Sequence, residues 1–368
     1  MSAFNFKDTN TTLVHICCSV DSHHFLTQLL QKYPEKNFCG YFYNPNIHPY
    51  EEYKMRLDDV RRSCQRLGIP LVEGKYDDKE WLENAKGMEN EPEKGIRCSY
   101  CFDYRLKSSA KIAKELKCVE FTTTLLASPM KTQNELYTQG TKIAQQYSLN
   151  FLPIDVRSNG GTQIQSKIAK EENLYRQNYC GCIFGLSKQR EQSKKMPFEL
   201  FSSLSLPKDS STLPKIRIKN FKTREELEKN NTKYKMIRQK VLAYRILKGL
   251  LRVESVVIPS FICSYSYLKK PLKSEIEFWH NNIGYAQKEG AIFILFDSIK
   301  EQIKYDSFES LLKNGLDEKI QLSLRLKFSD NGLFTSPIVI IKDKFYGSFM
   351  LEIDAISQDE IFESFIVV

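Results

Sequence analysis

The stretch that decides the fold is Leu13-Val14-His15-Ile16-Cys17-Cys18-Ser19-Val20-Asp21-Ser22. Its apolar run reads as a buried strand within residues 11–20. A helical pattern follows from His23 to Tyr33, with Phe25, Leu26, Leu29 and Leu30 on one face, and Pro34 ends it. Phe38 to Tyr43 reads as a second buried strand, running into the turn Asn44-Pro45-Asn46. Residues 49–67 form a second helix closed by Gly68, and Ile69 to Glu73 a third strand. This β-α-β-α-β alternation predicts a parallel α/β sheet with helices on both faces. Ligands of such sheets gather beyond the carboxyl ends of the strands, and a glycine-rich turn after the first strand often cradles a phosphate there. The glycines are missing here. Two thiols and a carboxylate stand in their place.

The alternation continues downstream. A short helix is expected over Trp81–Met88 and a longer one over Cys98–Leu116. Strand Val119–Leu126, helix Asn134–Tyr147, strand Asn150–Asp155 and helix Gln163–Asn173 follow, and Tyr179-Cys180-Gly181-Cys182 closes this half. The expected organisation is a catalytic α/β domain over 1–188, a basic and polar linker over 189–215, and a smaller α+β extension over 216–368. Ser202 to Thr212 is the most linker-like part. The extension is expected to hold a helix over Thr223–Arg252 and strands at Ser255–Ile258, Ala291–Phe296, Ile320–Phe328, Ile338–Ile341 and Phe345–Ile353. It carries no chemical motif and no internal repeat.

No apolar run reaches the about 18 residues that a membrane helix needs. Residues 1–12 are polar and lack the apolar core of a signal peptide. The expectation is a cytoplasmic protein with no membrane partner. In that compartment ten cysteines are not expected to form structural disulfides, so clustered ones point to metal or redox chemistry. The net charge of +9 fits a lysine-rich solvated surface or a polyanion partner, since cations gain affinity by releasing counterions from phosphate backbones.

Six of the cysteines form three close-set groups: Cys17-Cys18, Cys98-x-x-Cys101 and Cys180-Gly181-Cys182. Cysteines at i and i+3 in a helix's first turn lie on one face and can reach one centre. Glycine between Cys180 and Cys182 lets both thiols point the same way. Zinc uses four ligands, as does a 4Fe–4S cluster, so two thiols and Asp21 are left for a second metal ion or a substrate-facing redox pair. Spacing favours iron–sulfur, with zinc and a metal-free, redox-active thiol site left open. Cys39, Cys64, Cys118 and Cys263 are isolated and read as ordinary packing residues.

At these residues the first half resembles the QueH-type epoxyqueuosine reductases. The matching stretches are His15-Ile16-Cys17-Cys18, Phe42 to Pro49 with Glu52, Tyr53 and Arg56, and Arg97-Cys98-Ser99-Tyr100-Cys101-Phe102 with Arg105-Leu106. Phe121 to Leu126 and Leu174 to Cys182 also match, so the resemblance covers roughly residues 11–187 and leaves the second half uncovered. The resemblance implies a Rossmann-like (HUP-type) sheet. It further implies reduction of epoxyqueuosine to queuosine at the wobble position of tRNAs with GUN anticodons, those for aspartate, asparagine, histidine and tyrosine. This is the last step of queuosine synthesis. The implied cofactors are a 4Fe–4S cluster and one additional iron, without cobalamin, fed by an external electron donor. The implied metal and cofactor ligands are Cys17, Cys18, Cys98, Cys101, Cys180 and Cys182, with Asp21 as an oxygen ligand to the additional iron.

A proton donor is sought among Tyr43, His48, Tyr100 and Tyr179, weighed against ordinary packing and capping roles. Arg56, Arg97, Arg105 and Arg176 are candidates for holding phosphate or metal-site charge, weighed against structural ion pairing, and Arg97, Arg105, Arg176, Lys188 and Arg190 are candidates for holding tRNA. Thr122, Thr123 and Thr124 are candidates for the substrate diol. Basic residues around the linker (Lys194, Lys195, Lys215, Arg217, Lys219, Lys222, Lys233, Lys235, Arg238 and Lys240) are expected to help hold the anticodon arm. Competing expectations are a zinc-stabilised RNA-binding module and a sulfur-transferring tRNA-modifying enzyme. The latter calls for a glycine-rich pyrophosphate loop where this chain has Cys17-Cys18.

Overall fold

The computed structural model describes residues 10–129, 132–200 and 214–368. The chain divides into two compact units, Met1–Pro197 and Phe198–Val368.

The first unit opens with β1 (Thr11–Ile16), α1 (Ser19–Lys32), β2 (Asn37–Phe42), α2 (Tyr50–Arg66) and β3 (Leu71–Glu73). Next come α3 (Asp78–Asn84), α4 (Ile96–Glu115), β4 (Glu120–Thr123), α5 (Gln133–Tyr147), β5 (Asn150–Phe151), α6 (Gly161–Glu171) and α7 (Ile183–Gln192). The five strands form one parallel sheet in the order β3-β2-β1-β4-β5. β1 is central, with Leu13 beside Cys39 of β2 and Phe121 of β4. The chain winds outward from β1 in both directions, so a crevice opens beyond its carboxyl end, where Cys17 begins.

Strand alternation builds two cores from one strand. Val14 and Ile16 pack with Phe25, Leu26 and Leu29 of α1 and with Leu57 and Val60 of α2. Leu13 points the other way, to Leu106, Ala110 and Ala113 of α4 and Ile143 of α5. The expected parallel α/β sheet with flanking helices is therefore the observed one. Its boundaries differ in one place that matters. β1 stops at Ile16, and α1 begins at Ser19 with Cys18 as an extended N-cap, φ −162°. Asp21 thus sits in the first turn of α1, where the helix dipole favours a carboxylate. The stretch read as the start of a linker at 189 is still helical, as α7.

The second unit contains α8 (Pro214–Lys229), β6 (Tyr234–Val253), β7 (Val256–Ile258), β8 (Ser260–Ile262), β9 (Leu272–His280), β10 (Ile283–Ala286) and β11 (Ile292–Leu295). α9 (Phe308–Asn314), α10 (Glu318–Leu326), β12 (Ile338–Ile341) and β13 (Ser348–Val367) complete it. The strands make an eight-stranded sheet in the order β7-β6-β13-β9-β10-β11-β12-β8. The helix expected over Thr223–Arg252 is corrected: α8 ends at Lys229, and a turn with Asn231 at φ +50° leads into a strand. Pairing with β13 along its whole length, from Tyr234–Val367 to Val253–Phe349, overrides local helical preference. Ile320–Phe328 is not a strand but lies largely in α10, which Asp317 caps by accepting from the Lys319 N–H at 2.9 Å. β8, β9 and β10 were not anticipated. The stretch 202–212 lies outside the described residues.

Leu251 is fully buried in the core between β6, β12 and β13, whereas Val257 is 52% exposed. Leu251→Ala should cost about 2–5 kcal/mol in urea unfolding of this unit. Val257→Ala should stay within about 0.5 kcal/mol.

Candidate active site

The crevice beyond β1 holds a cavity of about 360 Å³. Cys17, Asp21, Cys98, Cys101, Cys180 and Cys182 all line it. Cys18 lies behind Cys17, with its Sγ 3.8 Å from the Cys17 Sγ. Three walls meet here: the β1–α1 junction, the first turn of α4, and the 179–182 segment before α7. All ten cysteines are free thiols. Cys39, Cys64, Cys118 and Cys263 are buried and do not line the cavity, and burial pushes their thiols up to between about 11 and about 12, which makes them inert.

Among the described residues, one group is tight enough for a single ion. Ligand atoms of Cys17, Cys18 and Asp21 lie within 4.8 Å of one another. The Cys17 thiol donates to Asp21 Oδ2 at 3.6 Å. The Cys17 N–H donates to Thr124 Oγ1 at 3.2 Å, and the Thr124 hydroxyl reaches back to Cys17 Sγ at 3.6 Å. Thr123 instead contacts His15, and Thr122 donates to the Leu152 carbonyl. The neighbouring Cys17 thiol, burial and the Asp21 carboxylate together push the Cys18 thiol well above its ordinary range. Gln177 Nε2 donates to Cys18 Sγ at 3.0 Å. The Lys94 N–H donates to Cys98 Sγ at 3.3 Å.

The 179–182 wall is held by Arg56. Its Nε donates to Glu52 Oε1 at 2.8 Å, its Nη1 to the Cys180 carbonyl at 2.9 Å and its Nη2 to the Tyr179 carbonyl at 3.0 Å. Gly181, at φ +111°, is required between the two thiols, because a Cβ there would stand 2.7 Å from Ile47 Cγ1. The His48 N–H closes on the Gly181 carbonyl at 2.8 Å.

Arg105 supplies the buried positive charge. Its Nη1 donates to Asn44 Oδ1 at 3.1 Å and its Nε to the Cys101 carbonyl at 3.3 Å, while Nη2 is buried without a hydrogen-bond partner. Burial opposes its charge, but Cys101, Cys180, Cys17 and Cys98 outweigh that and raise its pKa. Burial, reinforced by Arg105, lowers His15 to about 3 and keeps it neutral. Burial also pushes Cys182 up to about 12 when no metal is bound.

The other residues singled out from sequence divide clearly. Tyr179 lines the cavity, with its hydroxyl donating to the His48 carbonyl. Tyr43, His48 and Tyr100 do not line it. The Tyr43 hydroxyl faces Asp77 Oδ2 at 3.4 Å, and His48 Nδ1 meets the Asn46 carbonyl at 2.9 Å. Arg97 lines the cavity, yet its Nη1 is spent on the carbonyls of Met88, Glu89 and Glu91. Arg176 bonds Ser166, and Lys188 bonds the Asn90 carbonyl. In the second unit Arg217 and Arg238 pair with Glu363 at 2.8 and 3.4 Å. Sequence reasoning passed over Gln165, whose Nε2 donates to Asp21 Oδ1 at 2.8 Å, and Lys94, which lines the cavity.

A parallel α/β sheet whose switch-point crevice is walled by thiols beside a buried guanidinium is a frame suited to metal or redox chemistry. A family model described as "Epoxyqueuosine reductase QueH" matches residues 12–188. An epoxyqueuosine reductase QueH from Helicobacter pylori is 35% identical over 365 residues, covering 95% of this chain and 98% of that one. Its counterpart from Haemophilus influenzae is 37% identical over 195 residues, covering 52% of this chain and 79% of its own. The chain belongs to the QueH family of epoxyqueuosine reductases and is an oxidoreductase. The Helicobacter match extends through the second unit, which the family model leaves out. Among solved structures, the U34-tRNA thiolase NcsA from Methanococcus maripaludis with its [4Fe-4S] cluster is 16% identical, with a TM-score of 0.34 over 51% of this chain and 65% of that one. A likeness that slight bears on neither fold nor chemistry.

Arg56→Met should leave the buried Glu52 carboxylate without its cation, held only by the Tyr175 hydroxyl among the described residues, and release the Tyr179 and Cys180 carbonyls. The expected loss in urea unfolding is about 3–5 kcal/mol. Arg61→Met breaks the exposed pair with Glu73 (side chains 46% and 40% exposed) and should cost under about 1 kcal/mol.

Proposed function

We propose that this chain reduces epoxyqueuosine to queuosine at the wobble position of tRNAs with GUN anticodons, using a 4Fe–4S cluster and one further iron, without cobalamin. The observation that carries the reading is the convergence of Cys17, Asp21, Cys98, Cys101, Cys180 and Cys182 on one cavity. Family membership supplies the substrate. Cys17, Cys18 and Asp21 offer a compact two-sulfur, one-oxygen set that suits a single iron. Cys98, Cys101, Cys180 and Cys182 are then the four thiolates for the cluster. Bound there, such a centre supplies Lewis acidity toward the departing oxygen and electrons one at a time from an external donor.

The chain's own residues prepare the cavity. Arg105 offsets the charge of thiolates that burial alone would disfavour. The Gln177 amide and the Lys94 N–H each give a hydrogen bond to a ligand sulfur, a contact that tunes such centres. Tyr179 is the one candidate proton donor lining the cavity, and it serves by turning its hydroxyl from the His48 carbonyl toward the substrate. Lys194, and on β6 Lys235 and Lys240, all exposed, are assigned to the tRNA backbone, without base readout.

Anaerobically prepared protein should be brown, contain iron and sulfide, and remove one oxygen from epoxyqueuosine in tRNA, read by mass spectrometry of the nucleosides. Cys98→Ser should lose colour and more than about a hundredfold in turnover, beyond the cost of losing a mere supporting contact. Colourless protein holding stoichiometric zinc, or brown protein that leaves the epoxide intact, contradicts the reading.

A further inference from the structure

The carboxylate of Asp21 is held on both oxygens. Oδ2 faces the Cys17 thiol at 3.6 Å, on the side of the candidate iron site. Oδ1 accepts from Gln165 Nε2 at 2.8 Å. The amide orientation follows from chemistry, since an ionised carboxylate only accepts and must meet the NH₂ rather than the carbonyl end. Gln165 lies on α6, which packs against α1, and is 5% exposed.

The hydrogen-bonding of Gln165 is lopsided. Its Oε1 is buried with no hydrogen-bond partner. Leaving a buried amide oxygen unpaired costs more than one ordinary hydrogen bond returns. For stability alone, a leucine or methionine on this inward face of α6 would serve better. The chain keeps a polar side chain whose amide donates to a candidate metal ligand. That is the pattern of a supporting contact that orients a carboxylate ligand from behind.

Resting on the assignment of Asp21 as an iron ligand, we infer that Gln165 is a positioning residue for the additional iron. It fixes the Asp21 carboxylate from α6 so that Oδ2 stays beside Cys17 and Cys18. It touches neither substrate nor metal. Without the amide, the carboxylate can rotate about its side-chain bonds, and the three-ligand set loses its preorganisation.

The test is Fe(II) titration of cluster-loaded protein freed of loosely bound iron, with cluster absorbance as the control for fold. Gln165→Leu and Gln165→Met should keep the cluster absorbance and weaken Fe(II) binding by about 10–100-fold. Asp21→Ala should abolish it. Wild-type affinity in both Gln165 variants, with binding lost in Asp21→Ala, overturns the inference and leaves the Asp21 assignment standing. Wild-type affinity in Asp21→Ala overturns the ligand assignment and the inference with it. Loss of cluster absorbance in both Gln165 variants makes the residue part of the general fold and also overturns it.

Discussion

The site depends on one guanidinium that belongs to no reacting group. Arg56 reaches from α2 to the Tyr179 and Cys180 carbonyls while its Nε is balanced by Glu52. These contacts bring the wall carrying Cys180 and Cys182, far along the chain, back over the carboxyl end of β1. The Arg56 guanidinium also lies 5.4 Å from the centre of the Tyr179 ring, which lines the cavity. An arginine suits this task better than a lysine because its planar fork can satisfy two successive carbonyls and a carboxylate at once. Asp59 ties the preceding segment in the same way, accepting the Tyr175 N–H at 2.7 Å.

Charge is the second constraint. A crevice with several thiols and a carboxylate cannot hold them ionised unless positive charge is buried nearby. Arg105 meets that need from α4 and is itself steered by Asn44, whose Nδ2 donates to the Ile16 carbonyl at 2.9 Å. One asparagine thus couples the end of β1 to the cation that faces the thiols. Arg97 is as deeply buried but serves the loop before α4, so two arginines close together in the sequence have different work.

Much of this was legible in the sequence. The strand–helix alternation of residues 11–73 needs only period-2 and period-3.6 patterning, and the three cysteine groups need only spacing. What remained hidden was set by long-range contacts. β6 has the composition of a helix, and it is a strand because β13 lies alongside it for its full length. α10 has strand-like apolar residues, and a capping aspartate decides for helix. Tyr43 and His48 sit in motif stretches, but their side chains bond Asp77 and the Asn46 carbonyl and do not line the cavity. Gln165 carries no sequence signal at all, since only the packing of α6 on α1 brings it to Asp21. The basic residues gave a surplus of candidates, several of which the fold has already engaged in backbone or glutamate contacts.

The proposed function needs two iron sites, four thiolates for a cluster and Cys17, Cys18 and Asp21 for a single ion. Anomalous diffraction at the iron edge, from crystals grown without oxygen, tests it most directly. A compact multi-iron peak is expected among Cys98, Cys101, Cys180 and Cys182, with a separate single peak beside Asp21. One peak spanning Cys17 and Cys18 with nothing at Asp21, or a signal at the zinc edge instead, would contradict it.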